Sequence, residues 1–286
     1  MADPGFTWVA SYPKSGNTML RLLLEAHHYN SDSVDINNMV LCTGDTGEAL
    51  VQGVSPVAYT NLGFRAEALL RPAALLNLFC RTPLGLMTKT HWCNAQPDGL
   101  PPFIPAEFTK KAVYVVRDPR AVLLSYANYY SYSPQKAVQM MNTEDFTIGG
   151  QKGHARTLVS SWTKHVASWT GEKNFPVHVV RYEDMLENPA KELTEVLEFL
   201  EKDADEARVA RAVEAARISK IQAAEKDDGF REHNSSSDTF FGNGGGTRYL
   251  QEVGPKWIKQ IEADHGDMMR ILGYLDAEVV DLKAVT

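Results

Sequence analysis

The stretch FTWVASYPKSGNTMLRLLLEA, residues 6–26, decides the fold. Its first residues, 6–10, are β-branched or aromatic in the main, too few for a helix and without strict alternation. They read as a strand buried on both faces of a parallel sheet. Its second half, residues 17–26, carries a helical pattern, and the turn SYPKSGNT, residues 11–18, joins the two. A strand that passes through a tight turn into a helix puts that turn at the carboxyl end of a sheet, where α/β folds bind their ligands. The turn suits an anion. The N–H groups of the helix start point outward, Lys14 adds a charge, and Ser15 and Thr18 add hydroxyl donors.

Working outward, similar short apolar runs recur at residues 86–88, 112–116 and 177–180, with helical patterns between and after them. The helix over 119–126 has Asp118 as N-cap and Pro119 at its first position. Asn188 and Pro189 repeat that start signal, and the helix that follows places Leu193, Val196, Leu197 and Leu200 on one face. Strands alternating with helices imply right-handed crossovers and an α/β fold with a central, mostly parallel sheet flanked by helices. No repeat, long low-complexity tract or compelling boundary divides the chain, so residues 1–286 read as a single domain. Residues 227–247, with SSS and GNGGG, are the most loop-like stretch, and a helix is expected over 255–272.

Composition excludes several classes. No apolar run among the 286 residues approaches the roughly 18 that a membrane span needs. With 29 Lys plus Arg against 36 Asp plus Glu, the net charge is −7, which argues against a protein that coats nucleic acid through a basic surface. That acidity is local. Ten acidic and two basic residues lie between Glu183 and Glu206, so this stretch alone carries more than the net charge of the chain and says nothing about the loops holding Lys14, Lys89 and Arg117. Cys42, Cys80 and Cys93 are odd in number and lack metal-like spacing, so neither a disulfide framework nor a metal site is expected. The start MADPGFTWVAS has no basic segment followed by an apolar one, and the expected location is cytoplasmic.

The turn is not a Walker A loop. That motif places lysine directly after its last glycine, with Ser or Thr beside it, whereas Lys14 precedes Gly16 by two residues and no glycine lies upstream. An ATP-dependent, P-loop-like kinase is therefore disfavoured. YPKSGNTM instead resembles YPKSGTTW, the signature of the sulfotransferases that use 3′-phosphoadenosine 5′-phosphosulfate (PAPS). Lys89-Thr90-His91 is similar to that family's KTH segment, Arg117-Asp118-Pro119-Arg120 with Ser125 to its 3′-phosphate motif, and Arg181-Tyr182-Glu183-Asp184-Met185 to its RYEDM stretch.

The resemblance implies a P-loop-like phosphosulfate-binding loop and transfer of the sulfuryl group of PAPS, leaving adenosine 3′,5′-bisphosphate (PAP), to a hydroxyl of a small or medium-sized acceptor, without a metal. Its implied catalytic residues are His91 as general base, with Lys14 and Lys89 on the transferring group. Its implied cofactor contacts are Lys14, Ser15, Gly16, Asn17, Thr18 and Met19 in the first loop, Arg117, Ser125 and Tyr182 further on, and Gly242, Asn243, Gly244 and Arg248 near the C-terminus. Charge growing on the leaving phosphate oxygen is what a lysine in such a loop stabilises, and an imidazole suits proton acceptance from a hydroxyl.

The pattern departs in three places. Met19 stands where the family has Trp, residues 217–221 (RISKI) keep only apolar character at two positions, and the C-terminal segment has Gly and Asn where Arg and Lys are expected. Arg248 is the candidate replacement there. A non-catalytic nucleotide-binding protein on the same fold is the reading this last departure favours. The cluster Tyr126, Tyr129, Tyr130 and Tyr132 either lines an acceptor pocket or packs helix against loop. Residues 45–84 are expected in the acceptor wall, and His165 in packing. The family's C-terminal dimerisation motif is not recognisable in residues 256–266, so the oligomeric state is open.

Overall fold

The computed structural model describes residues 5–81, 87–151, 153–171, 174–233, 239–242 and 251–276. Among the described residues seven strands form: β1 Phe6–Ser11, β2 Cys42–Gly44, β3 Met87–Thr90, β4 Thr109–Val116, β5 Thr147–Ile148, β6 Thr157–Leu158 and β7 Val177–Arg181. The helices are α1 Asn17–Tyr29, α2 Glu48–Gln52, α3 Phe64–Arg81, α4 Pro119–Tyr130, α5 Pro134–Asn142, α6 Trp162–Thr170, α7 Tyr182–Glu187, α8 Pro189–Phe199, α9 Glu206–Ala215, α10 Ile218–Asp228 and α11 Pro255–Ile271. One parallel sheet has the order β2-β3-β1-β4-β7, and β5 and β6 make a separate antiparallel hairpin.

The period-two geometry of the strands splits the core into two layers. Phe6, Trp8 and Ala10 of β1, with Ala112, Tyr114 and Val116 of β4, pack against α3, α4, α5, α6 and α11 through Leu75, Val122, Met141, Trp162 and Ile261. Val9, Val113, Val115 and Val180 face the other way, against α1, α8, α9 and α10 through Leu23, Leu197, Ala212 and Ile221. Burial on both faces holds for the central strands β1 and β4. It fails for β7, where Val179 is exposed, because β7 is an edge strand with only β4 beside it.

Caps set the helix entries where the sequence placed them. Asp118 accepts from Arg120 N–H at 2.9 Å, with Pro119 at the first position of α4. Asn188 accepts from Lys191 N–H at 3.3 Å ahead of Pro189 in α8. We expect Asn188→Ala to lose about 1 kcal/mol, read as a lower denaturant midpoint at unchanged slope.

One expectation changes. The strand expected over 86–88 runs on to Thr90 as β3, Met87–Thr90, because Lys89 and Thr90 pair with Val9 and Ala10 of β1, and Leu86 lies outside the described residues. Within residues 45–84, 64–81 form the 18-residue helix α3, which packs into the core through Ala68 and Leu75 despite Pro72 inside it.

Candidate active site

The carboxyl ends of β1, β3, β4 and β7 lie level with one another, since Ala10 pairs with Thr90, Ser11 with Val115 and Val116 with Arg181. The residue leaving each strand therefore enters one space. Lys14 follows β1, His91 follows β3, Arg117 follows β4 and Tyr182 follows β7, and all four line a cavity of about 1500 Å³. Gly16, Asn17, Thr18, Met19, Lys89, Ser125 and Gly242 line it too. Asn243, Gly244 and Arg248 lie outside the described residues.

The first loop wraps the start of α1. Gly16 is the N-cap of α1 at φ 97, with no side-chain cap, and Lys14 also has positive φ, at 67. Gly16 is needed twice over: a Cβ there would strain the backbone and would sit 2.2 Å from Tyr182 Cδ2. Asn17 ties the loop down by donating from Nδ2 to Val9 O at 3.0 Å. Ser15 lies buried beneath the loop. Arg117 donates to Lys14 O at 3.1 Å and lies 4.5 Å over the Tyr182 ring, so the RYEDM-like tyrosine supports the arginine and covers Gly16. Its neighbour Glu183 accepts from Asp118 N–H at 3.0 Å and from Tyr274 OH at 2.9 Å, fixing the turn from β4 into α4.

Lys14 Nζ stands 4.0 Å from the Tyr129 ring centre and 3.7 Å from that of Phe240. The rings attract the ammonium. Burial, and repulsion from Arg117 and Lys89, act the other way and bring the lysine down to about 7.

His91 is held in one tautomer. Its Nδ1 lies 2.8 Å from Ser11 O, which accepts only, so Nδ1 carries the hydrogen and Nε2 keeps its lone pair. His165 Nε2 donates to His91 O at 3.2 Å, while its Nδ1 accepts from Tyr114 OH at 2.9 Å. Burial pushes both imidazoles down to about 3, and Lys89 adds repulsion at His91, so His91 is neutral at physiological pH. His165, expected only to pack, thus anchors the backbone that carries His91.

Two features escaped sequence reading. Glu232 accepts from Lys89 Nζ at 2.8 Å and from both terminal nitrogens of Arg21, at 2.9 and 3.3 Å. Burial alone would raise its carboxyl, but Lys89 and Arg21 outweigh that and hold it at about 2. Arg21, inside the apolar run LRLLL, was the one visible signal. Asp45 accepts from Arg71 at 2.7 Å and from Thr90 Oγ1 at 2.8 Å, and Thr90 Oγ1 in turn accepts from Trp92 N–H at 3.1 Å, bracing the turn that holds His91.

The tyrosine cluster divides. Tyr126 is fully buried, against Tyr12, whereas Tyr129, Tyr130 and Tyr132 line the cavity. Of the two apolar positions in residues 217–221, Ile218 lines the cavity and Ile221 packs in the core.

The family model described as Sulfotransferase domain matches residues 86–273, more than half of the chain. The chain belongs to the sulfotransferase-domain family. It is 28% identical over 211 residues to mouse (Mus musculus) Sulfotransferase 1 family member D1, covering 72% of this chain and 62% of that one. It is 30% identical over 199 residues to dog (Canis lupus familiaris) Sulfotransferase 1B1, covering 68% and 58%. The chain thus spans under two thirds of the length of these relatives. Its fold is that of mouse sulfotransferase SULT7A1 complexed with PAP, at a TM-score of 0.61 and 21% identity over 94% of this chain and 85% of that one. It is also that of retinol dehydratase in complex with androsterone and PAP, at 0.62 and 19% over 97% and 82%. The family match begins at residue 86, yet the loop carrying Lys14 and Gly16 lies in the sulfotransferase fold beside it.

Proposed function

We propose that residues 1–286 act as one PAPS-dependent sulfotransferase domain that sulfates a hydroxyl of a small or medium-sized acceptor, in the cytoplasm and without nucleic acid as partner. The observation that carries this reading is the convergence of Lys14, Lys89, Arg117 and a tautomer-fixed His91 on one cavity at the carboxyl edge of the sheet. The residues present fit a bisphosphorylated nucleotide. The glycine N-cap presents the first-turn N–H groups of α1, a Cβ would block that cradle, and several cations line the same wall. Bound PAP in two structures of the same fold agrees with that fit.

In this reading Lys14, the Gly16 to Thr18 backbone and Thr18 Oγ1 hold the 5′ end, and Arg117 and Ser125 hold the 3′-phosphate. Bound PAPS supplies the sulfuryl group and a phosphate leaving group. His91 Nε2 takes the acceptor hydroxyl's proton as that oxygen bonds to sulfur, and Lys14 neutralises the charge that builds on the leaving oxygen. Lys89 steadies the sulfuryl oxygens once Glu232 gives up its hold on the Nζ. The test is release of PAP from PAPS in the presence of phenols, alcohols and glycosides; a chain that fails to bind PAP rules the reading out.

One pH effect follows from Lys14. An anion in the cradle needs the ammonium, whose value with no anion bound is about 7. Affinity for PAP is therefore full below pH 7 and falls as pH rises above it, with proton uptake on binding at pH 8. Calorimetry in buffers of different ionisation enthalpy checks this; pH-independent affinity from 6 to 9 contradicts it.

A further inference from the structure

A second part of the cavity lining is made by the loop after β2 and the β5–β6 hairpin. The two pieces are sewn together through their backbones. Ala155 N–H donates to Thr46 O at 2.8 Å, Glu48 N–H to Gly153 O at 3.1 Å, and Gly153 N–H to the Glu48 carboxylate at 2.7 Å. Glu67 of α3 fixes the hairpin by accepting from Arg156 N–H at 2.9 Å, and it also pairs with the Arg156 side chain. The wall is therefore a built surface.

Its chemistry is polar. Thr46, Gln151, His154 and Thr157 line it, with Ile148 and Ala155 as its larger apolar members. Gly44 and Gly153 have open space where a Cβ would sit, so no side chain fills the wall at these points. Tyr130 and Tyr132 line the same cavity, stacked on each other at 5.3 Å and 15°. Tyrosine offers an apolar face beside a hydroxyl donor and acceptor. None of the described residues facing the cavity from this wall is Lys or Arg, since Arg156 donates to Leu62 O and pairs with Glu67.

Resting on the sulfotransferase reading above, we infer that the acceptor is a neutral carbohydrate: a glycoside or short oligosaccharide, sulfated on a ring or exocyclic hydroxyl. A pyranose has C–H groups that pack against the edges of tyrosine rings and a rim of hydroxyls that pair with threonine, glutamine, histidine and tyrosine side chains. A fused-ring alcohol or simple phenol leaves those groups unpaired, and a site built to hydrogen-bond discriminates steeply against such a ligand. A volume of about 1500 Å³ also exceeds the roughly 300–1,000 Å³ of a single drug-sized pocket, leaving room for an extended acceptor beside a nucleotide.

The test compares matched acceptors on the full chain: 4-nitrophenol, 4-nitrophenyl β-glucoside, 4-nitrophenyl β-maltoside, 4-nitrophenyl β-glucuronide and a steroid alcohol, with PAPS. PAP release and the mass gain of one SO3 are the readouts, and PAP affinity is measured separately by calorimetry. The neutral glycosides are expected to exceed the phenol, the steroid and the glucuronide in kcat/KM by about tenfold or more. Gln151→Leu and Thr46→Val are each expected to raise the glycoside KM about tenfold at unchanged PAP affinity. PAP binding with the phenol or steroid preferred, with no transfer to any saccharide, or with glycoside KM unmoved in both variants, overturns the carbohydrate inference and leaves the cofactor reading standing. Absence of PAP binding overturns both.

Discussion

His91→Ala lowers kcat by about 10²- to 10⁴-fold while PAP affinity stays nearly unchanged. In the proposed reading the loss is specific to proton transfer. Nδ1 is committed to Ser11 O and Nε2 keeps its lone pair, so truncation removes the base and nothing from the cradle around Gly16. His165 holds the His91 carbonyl through the backbone, a contact that alanine retains. A second readout separates chemistry from folding. Because burial and Lys89 keep His91 near 3, the wild-type rate has no acid limb near the ordinary histidine value, and its fall on acidification comes only well below pH 5. A parallel loss of PAP binding in His91→Ala makes the residue a ligand contact; an acid limb near 6.5 means the imidazole is less buried in the working enzyme.

Lys14→Ala impairs binding and rate together, with kcat down by about 10²- to 10³-fold and PAP affinity falling as well. The ammonium is the cation of the first loop, on the residue whose positive φ turns the chain into the Gly16 cap. Stacked between Tyr129 and Phe240, it is aimed into the cavity with little freedom to relocate. Lys14→Met keeps the stem and removes the charge, and the same losses are expected of it. A variant with intact kcat and only a raised KM for PAPS assigns Lys14 to binding alone. If the pH dependence of PAP affinity disappears in Lys14→Met, Lys14 is the group that titrates in the free site.

Much of the architecture was legible because it rests on local physics. Residues 6–26 announce strand, turn and helix, since a glycine cap and a lysine between a β-branched run and an apolar helix have few other uses. Asp118-Pro119 and Asn188-Pro189 mark their helix starts because capping is a contact within three residues. Where pairing across the sheet decides the outcome, local pattern misleads: Lys89 and Thr90 look like the end of a strand and become strand through Val9 and Ala10. The three-residue strand β2 is formed only by its pairing with β3, so its sequence carried no signal.

By itself the sequence determined the parallel α/β sheet and the strand, turn and helix that carry Lys14 and Gly16, and it singled out His91, Arg117 and Ser125, which line one cavity with them. Those are matters of short spacing and of residue type. Only the tertiary structure decided which nitrogen of His91 is available, that His165 and Asp45 brace the turn bearing it, and that Glu232, 143 residues from Lys89, pairs with it and with Arg21. It alone brought the polar wall and the tyrosines onto one cavity. Such contacts join residues far apart in sequence, and their energies depend on burial that exists once the sheet has brought its strand ends level.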